Sequence, residues 1–167
     1  MAYRERRWEF YLVFLLILGL FAIAIPKFKH ALDRAREAQV VSNMHLLKAA
    51  LEEFASSAGG RYPIDFSSKT SEVYPEAKRT FSVGEKIENM VNPYTKKSGI
   101  GKAVSYLSPE STIPDSFGVG MVLYIPGSPM KTEESAPWCN DYLILGYDKT
   151  GKKLSYTLKG DSLLHKP

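Results

Sequence analysis

Apolar and polar positions are distributed unevenly along this chain and divide it into three stretches. From Phe10 to Ile25 no charged residue occurs; the run reads FYLVFLLILGLFAIAI. A helix that is apolar all round needs lipid, or a large protein, around it. The run has 16 residues, while crossing a bilayer takes about 20. Trp8 and Glu9 lengthen it at one end and Pro26 to Phe28 at the other, so a span would place its ends at the interface. Trp8 and Tyr11 suit the aromatic belt found there. A cleaved signal peptide is the alternative, with Arg4, Arg6 and Arg7 as its basic region. The run, however, passes from Ala22-Ile23-Ala24 straight into Ile25-Pro26 and more helix, with no small-residue cleavage site. A buried core helix is the third reading. The retained membrane helix is preferred.

After Pro26 the pattern changes period. Met44, Leu47, Leu51, Phe54 and Ala58 recur at spacings of three or four, the mark of an amphipathic helix. Phe28, Leu32 and Ala35 open a similar series, and Gly59-Gly60 supplies a C-terminal stop. Asp33, Arg36, Glu37, Lys48 and Glu52 fall largely off the stripe. The second half of the helix is therefore expected to lay one face on a domain made from the rest of the chain. A continuous helix from Glu9 to Ala58 would be about 75 Å long. Pro26 would kink it or free a carbonyl.

Beyond Gly60 the pattern shortens to strands and turns. Tyr62-Pro63, Tyr74-Pro75, Asn92-Pro93-Tyr94 and Ser98-Gly99 mark turns, with a short helix over 84–90. Strands are expected at 103–107, 118–125, 141–147 and 153–158. Asp148 to Lys152 joins the last two as a hairpin connection. The expected fold is α+β: a long N-terminal helix, membrane-embedded in its first half, packed on a C-terminal antiparallel sheet. Four parts follow: a basic segment 1–8, a membrane helix 9–28, its continuation 29–58 and a head 59–167.

Composition narrows the chemistry. The 167 residues suffice for one domain with a long element attached. The formal net charge of +4 comes from interspersed charges, so no nucleic-acid partner is expected. Arg4, Arg6 and Arg7 before the apolar run balance Lys27, Lys29, Arg34 and Arg36 after it, which leaves orientation open. The single cysteine, Cys139, excludes an intrachain disulfide. His30, His45 and His165 are too scattered for a metal site, and no nucleophile-base arrangement stands out, so no enzymatic activity is expected. Lys96-Lys97, with Lys102, reads as a solvated loop, or alternatively as a contact to DNA or another anionic surface. Glu9 is the unusual residue. It pairs with Arg6 on the same helical face at headgroup level, or it takes a partner from another chain; physics alone leaves both open.

Taken together, these residues resemble the superfamily of type IV pilins and type II secretion pseudopilins. Glu9 begins an unbroken apolar helix that ends in Ala22-Ile23-Ala24-Ile25-Pro26-Lys27-Phe28. Ala35 to Ala38, Ser42-Asn43, Ala49 to Phe54 and Gly59 to Pro63 are similar to the continuation and exit of the family's helix. Asn92 to Thr95 and the Tyr142 to Lys152 hairpin resemble head segments. The resemblance implies a structural subunit of a pilus or pseudopilus that assembles through its N-terminal helix. Glu9, Pro26, Arg6 and Arg7 would act in assembly, with Met44, Leu47, Leu51 and Phe54 packing the helix on the head. It implies as partners other pilin or pseudopilin subunits, the membrane and an inner-membrane assembly platform. The N-terminus would be cytoplasmic and the head periplasmic. Some pseudopilins bind calcium through head-domain loops, for which Asp141, Asp148 and Asp161 are the candidates here, although Asp148 to Gly151 reads better as turn chemistry. There is one departure. Family precursors are cut after a glycine, so that the glutamate becomes the fifth mature residue; counted back from Glu9, the first mature residue would be Glu5 and the glycine's position is held by Arg4, and no glycine precedes Gly19. Cleavage and N-methylation therefore lack their recognition residue. The alternative function is a membrane-anchored protein that does not polymerise and whose periplasmic head binds a partner.

Overall fold

The computed structural model describes residues 2–132 and 135–161, apart from the side chains of residues 2–7, Glu9 and Asp161. The chain divides into two compact units, 1–35 and 36–167. Helix α1, Ala2–Ser57, contributes to both.

In the first unit, helical structure begins already at Ala2 and runs through Pro26 without a break. Pro26 has no N–H, so the carbonyl of Ala22 lacks its usual donor one turn on. Every described side chain from Trp8 to Leu32 is exposed, including Phe14, Leu15 and Phe21.

The second unit is a head built around the rest of α1. Val40, Met44, Leu47, Ala50, Leu51 and Phe54 are buried on one face and form the core with the strands. The helix ends where Gly59 and Gly60 take positive φ (64° and 82°), and Gly60 N–H closes onto the Ala55 carbonyl at 2.7 Å. This left-handed exit is why two glycines stand there.

The main sheet has four strands in the order β2 (Val104–Tyr106), β3 (Val122–Pro126), β5 (Asp141–Tyr147), β6 (Lys153–Asp161). β5 and β6 form the expected hairpin, and β3 pairs antiparallel with β5. The pairing of β2 with β3 is parallel, so the expected antiparallel sheet carries one parallel edge strand and is mixed. A parallel pair needs a crossover of about a dozen residues or more, and residues 107–121 supply it. β3 starts at Val122, later than expected, because Gly118 to Met121 form a turn in which Gly120 has φ 64°.

That crossover also covers the sheet. Leu123, Ile125, Leu145 and Tyr147 form a second cluster with Leu107 and Phe117, on the face opposite α1. β3 is consequently buried at every position, and β5 shows only partial alternation. A two-stranded sheet pairs β1 (Tyr62–Pro63) with β4 (Trp138–Cys139). Two short helices, α2 (Thr70–Val73) and α3 (Val83–Ile87), complete the head. The Ser82 hydroxyl caps α3 by accepting from Glu85 N–H at 3.3 Å.

Candidate functional site

The feature that asks for a partner is the first half of α1. Its apolar residues are exposed among the described residues: Phe10 is 76% exposed and Leu20 67%. A soluble protein rarely leaves so large a contiguous apolar surface in water. The helix is long and apolar enough to cross a membrane. Of the residues named for assembly, Pro26 lies inside this helix. The side chains of Glu9, Arg6 and Arg7 lie outside the described residues.

The second half of the helix is seated in the head by shape and by polar bonds. Met44, Leu47, Leu51 and Phe54 are each fully buried. Gly146 on β5 lets the helix come close. A Cβ there would lie 2.7 Å from Met44 Sδ and 3.0 Å from Val40 Cγ1. On the helix's flank, the Glu52 carboxylate accepts from two phenols: Tyr142 O–H at 2.8 Å and Tyr62 O–H at 3.1 Å. Burial, and then the Glu52 acceptor, push the Tyr142 phenol far above its ordinary range. On another side, Asn43 Nδ2 donates to the Val91 carbonyl at 2.9 Å. Nothing in the linear spacing of Glu52, Tyr62 and Tyr142 signals this clamp.

At the head's centre Tyr124, fully buried, donates to the Pro63 carbonyl at 2.6 Å and lies 3.8 Å from Cys139 Sγ. Burial pushes the Cys139 thiol up to about 11, which keeps it neutral and unreactive. Arg61 lies over the Trp138 and Tyr74 rings, 4.8 and 5.3 Å from their centroids, and donates to the Val73 carbonyl. These contacts tie the helix exit to the β1–β4 ribbon.

The calcium candidates do not converge. Asp141 and Asp148 stand at opposite ends of β5, about 20 Å of strand apart. The Asp148 carboxylate accepts from Thr150 N–H, Thr150 Oγ1 and Lys152 N–H. Partial desolvation works against these bonds, but they hold the carboxyl below its ordinary value. The Asp161 side chain lies outside the described residues. Among the described residues no three His, Cys, Asp or Glu side chains are placed to share a metal ion. His45 Nε2 instead sits 3.1 Å from Tyr156 O–H, His30 is exposed on α1, and His165 lies outside the described residues. An open groove of about 590 Å³ beside the end of α1 is lined by Glu53, Ser56, Tyr74, Glu76, Lys78 and Arg79, charges of both signs in contact with water.

No protein-family model, no curated protein and no solved structure matches this chain. Its long N-terminal apolar helix, continued into a segment packed on a mixed, mostly antiparallel sheet, is compatible with a pilin-like architecture.

Proposed function

We propose that the chain is a structural subunit of a type IV pilus or a type II secretion pseudopilus. It would be held in the inner membrane by the first half of α1, with the N-terminus cytoplasmic and the head periplasmic, and would assemble with other pilin or pseudopilin subunits through that helix. One observation carries the reading: an apolar helix exposed along its length among the described residues continues into a segment that forms the spine of a small α+β head. The proposal assigns the chain no catalysis and no cofactor. Apolar helices of many copies would cover one another, and the head contacts would be heterologous and propagating.

Glu9 would be paired in such a bundle, since an ionised carboxylate among packed apolar helices is costly alone. Its counter-charge would be Arg6 or Arg7 of a neighbour. The test is cysteine cross-linking between copies through α1 in membranes. Wild-type chains should cross-link, and Glu9→Gln should keep its membrane level while losing the cross-links. Unchanged cross-linking in the variant rejects the role of Glu9, and absent cross-linking in the wild type rejects assembly. The second reading is an anchored, non-polymerising protein whose head binds a partner. The observation that favours it is Arg4, where the resemblance asks for a glycine. Intact mass and N-terminal sequencing of membrane-extracted protein separate the two.

A further inference from the structure

Arg36, the first residue of the head unit, places its guanidinium 5.6 Å from the Tyr94 ring centroid. Tyr94 belongs to a loop fixed by Asn92, which is fully buried. Asn92 Oδ1 accepts from the N–H groups of Tyr94 and Thr95, and Nδ2 donates to the carbonyls of Lys102 and Val119. The next loop touches this one: a Cβ on Gly120 would strike the Tyr94 ring. Gly120 N–H in turn donates to the Asp148 carbonyl, and Asp148 N–H to the Lys152 carbonyl. Loops far apart in sequence thus form one end of the head, around the point where α1 enters it.

Lys96, Lys97, Lys102, Lys152 and Lys153 lie on this end, and all are exposed. The acidic groups of the same end are fewer than its lysines: exposed Glu88 lies beside this loop, its carbonyl 3.5 Å from where a Cβ on Gly99 would stand. The Asp148 carboxylate is occupied by its own turn, Glu37 is half-buried on α1, and Asp115 is exposed. At the other end of the head, Glu52, Glu53, Asp65, Glu72 and Glu76 are interspersed with Arg61, Lys69, Lys78, Arg79 and Lys86, so the charges there balance. Lys96 holds a left-handed backbone (φ 60°), an uncommon conformation for a side-chain-bearing residue.

We propose that this basic end docks on an anionic lipid surface. The proposal rests on the reading of α1 as a membrane anchor. The occupant is argued from chain connectivity. Arg36 follows the apolar run by eleven residues, so only a short stretch of chain links this end to the membrane segment. Lysines near an anionic membrane are each attracted to it, and the attraction fades within a Debye length. Docking therefore restrains the head beside the membrane until assembly or high salt releases it.

The experiment uses the full chain reconstituted in bilayers, with a fluorophore on Ser98→Cys and an acceptor on lipid headgroups. Energy transfer should be higher with one third phosphatidylglycerol than with phosphatidylcholine alone. It should fall to the neutral level in about 1 M salt, where screening acts over about 3 Å. The variant with all five lysines changed to Gln should lose the difference while keeping its circular dichroism. Each single Lys→Gln is expected to lower the docked-to-undocked ratio about fivefold. Equal transfer in the two bilayers overturns the proposal. So does the lysine-dependent binding of a short DNA duplex by a head that ignores lipid charge, which would assign the face to nucleic acid. Release of the chain by a carbonate wash instead overturns the anchor reading, and the docking with it.

Discussion

Tyr142 on β5 donates its phenol hydrogen to Oε1 of Glu52 on α1 at 2.8 Å, a bond that crosses from sheet to helix. Tyr62, whose ring stacks edge-on against Tyr142 with centroids 4.7 Å apart, donates to the other oxygen of the same carboxylate. The helix is thus pinned to the head by a polar clamp beside its apolar seam.

Breaking the clamp should cost measurable stability. Hydrogen bonds to a charged group contribute about 1.5–3 kcal/mol, and Glu52 is solvent-exposed, which favours the low end. Glu52→Ala and Tyr142→Phe should each destabilise a soluble fragment beginning at residue 30 by about 1–2 kcal/mol in urea unfolding. The double variant should show coupling of at least about 0.5 kcal/mol. Strict additivity would mean that the bond is not formed in solution.

Leu51 and Leu46 offer a matched comparison on one helix. Leu51 is fully buried and Leu46 is 56% exposed. Leu51→Ala should cost about 2–5 kcal/mol, and Leu46→Ala within about 0.5 kcal/mol. Similar costs for both would mean that the helix seats another face on the sheet.

High pH should unfold the head. The thiol of Cys139 and the phenols of Tyr124 and Tyr142 all ionise at higher pH folded than unfolded, burial being the first cause in each. Such groups stabilise the fold fully below their unfolded pKa and lose that contribution as pH rises toward the folded one. For Cys139 the window runs from 9 to about 11, and its loss amounts to about 2–3 kcal/mol. Stability should be flat from pH 7 to about 8.5 and then fall. A profile still flat at pH 11 would contradict the buried positions of these groups.

The same burial predicts slow chemistry at Cys139. In native protein near pH 8 an alkylating reagent should modify it at a rate set by opening of the head, orders of magnitude below the rate in urea. Prompt labelling of the folded protein would place the thiol outside the core.

Gly146 provides a packing test. Gly146→Ala pushes a methyl against Met44 and Val40, an overpacking change that typically costs about 1–3 kcal/mol. In a Met44→Ala background Gly146→Ala should cost less than in the wild type, because the sulfur that the new methyl meets is gone.

Much of this architecture was legible in the linear pattern, because it depends on local periodicity. The uncharged run from Phe10 to Ile25 sets an all-round apolar helix wherever it is placed. The three-and-four spacing of Met44, Leu47, Leu51 and Phe54 sets one buried face, and Gly59-Gly60 sets the exit. Asp148 to Lys152 sets a hairpin, since its turn bonds are local. What tertiary structure alone decided depends on pairings between residues far apart in sequence. The parallel seat of β2 beside β3 follows from where the 107–121 crossover lies, and that same segment buries the second face of the sheet and erases the alternation in β3. Glu52 meets Tyr62 and Tyr142 only once helix and strands are docked, because no spacing rule links a helix carboxylate to a phenol 90 residues away. The lysines of the 92–102 loop and of the β5–β6 connection become one basic face for the same reason: charge position is free in sequence, and the fold gathers it.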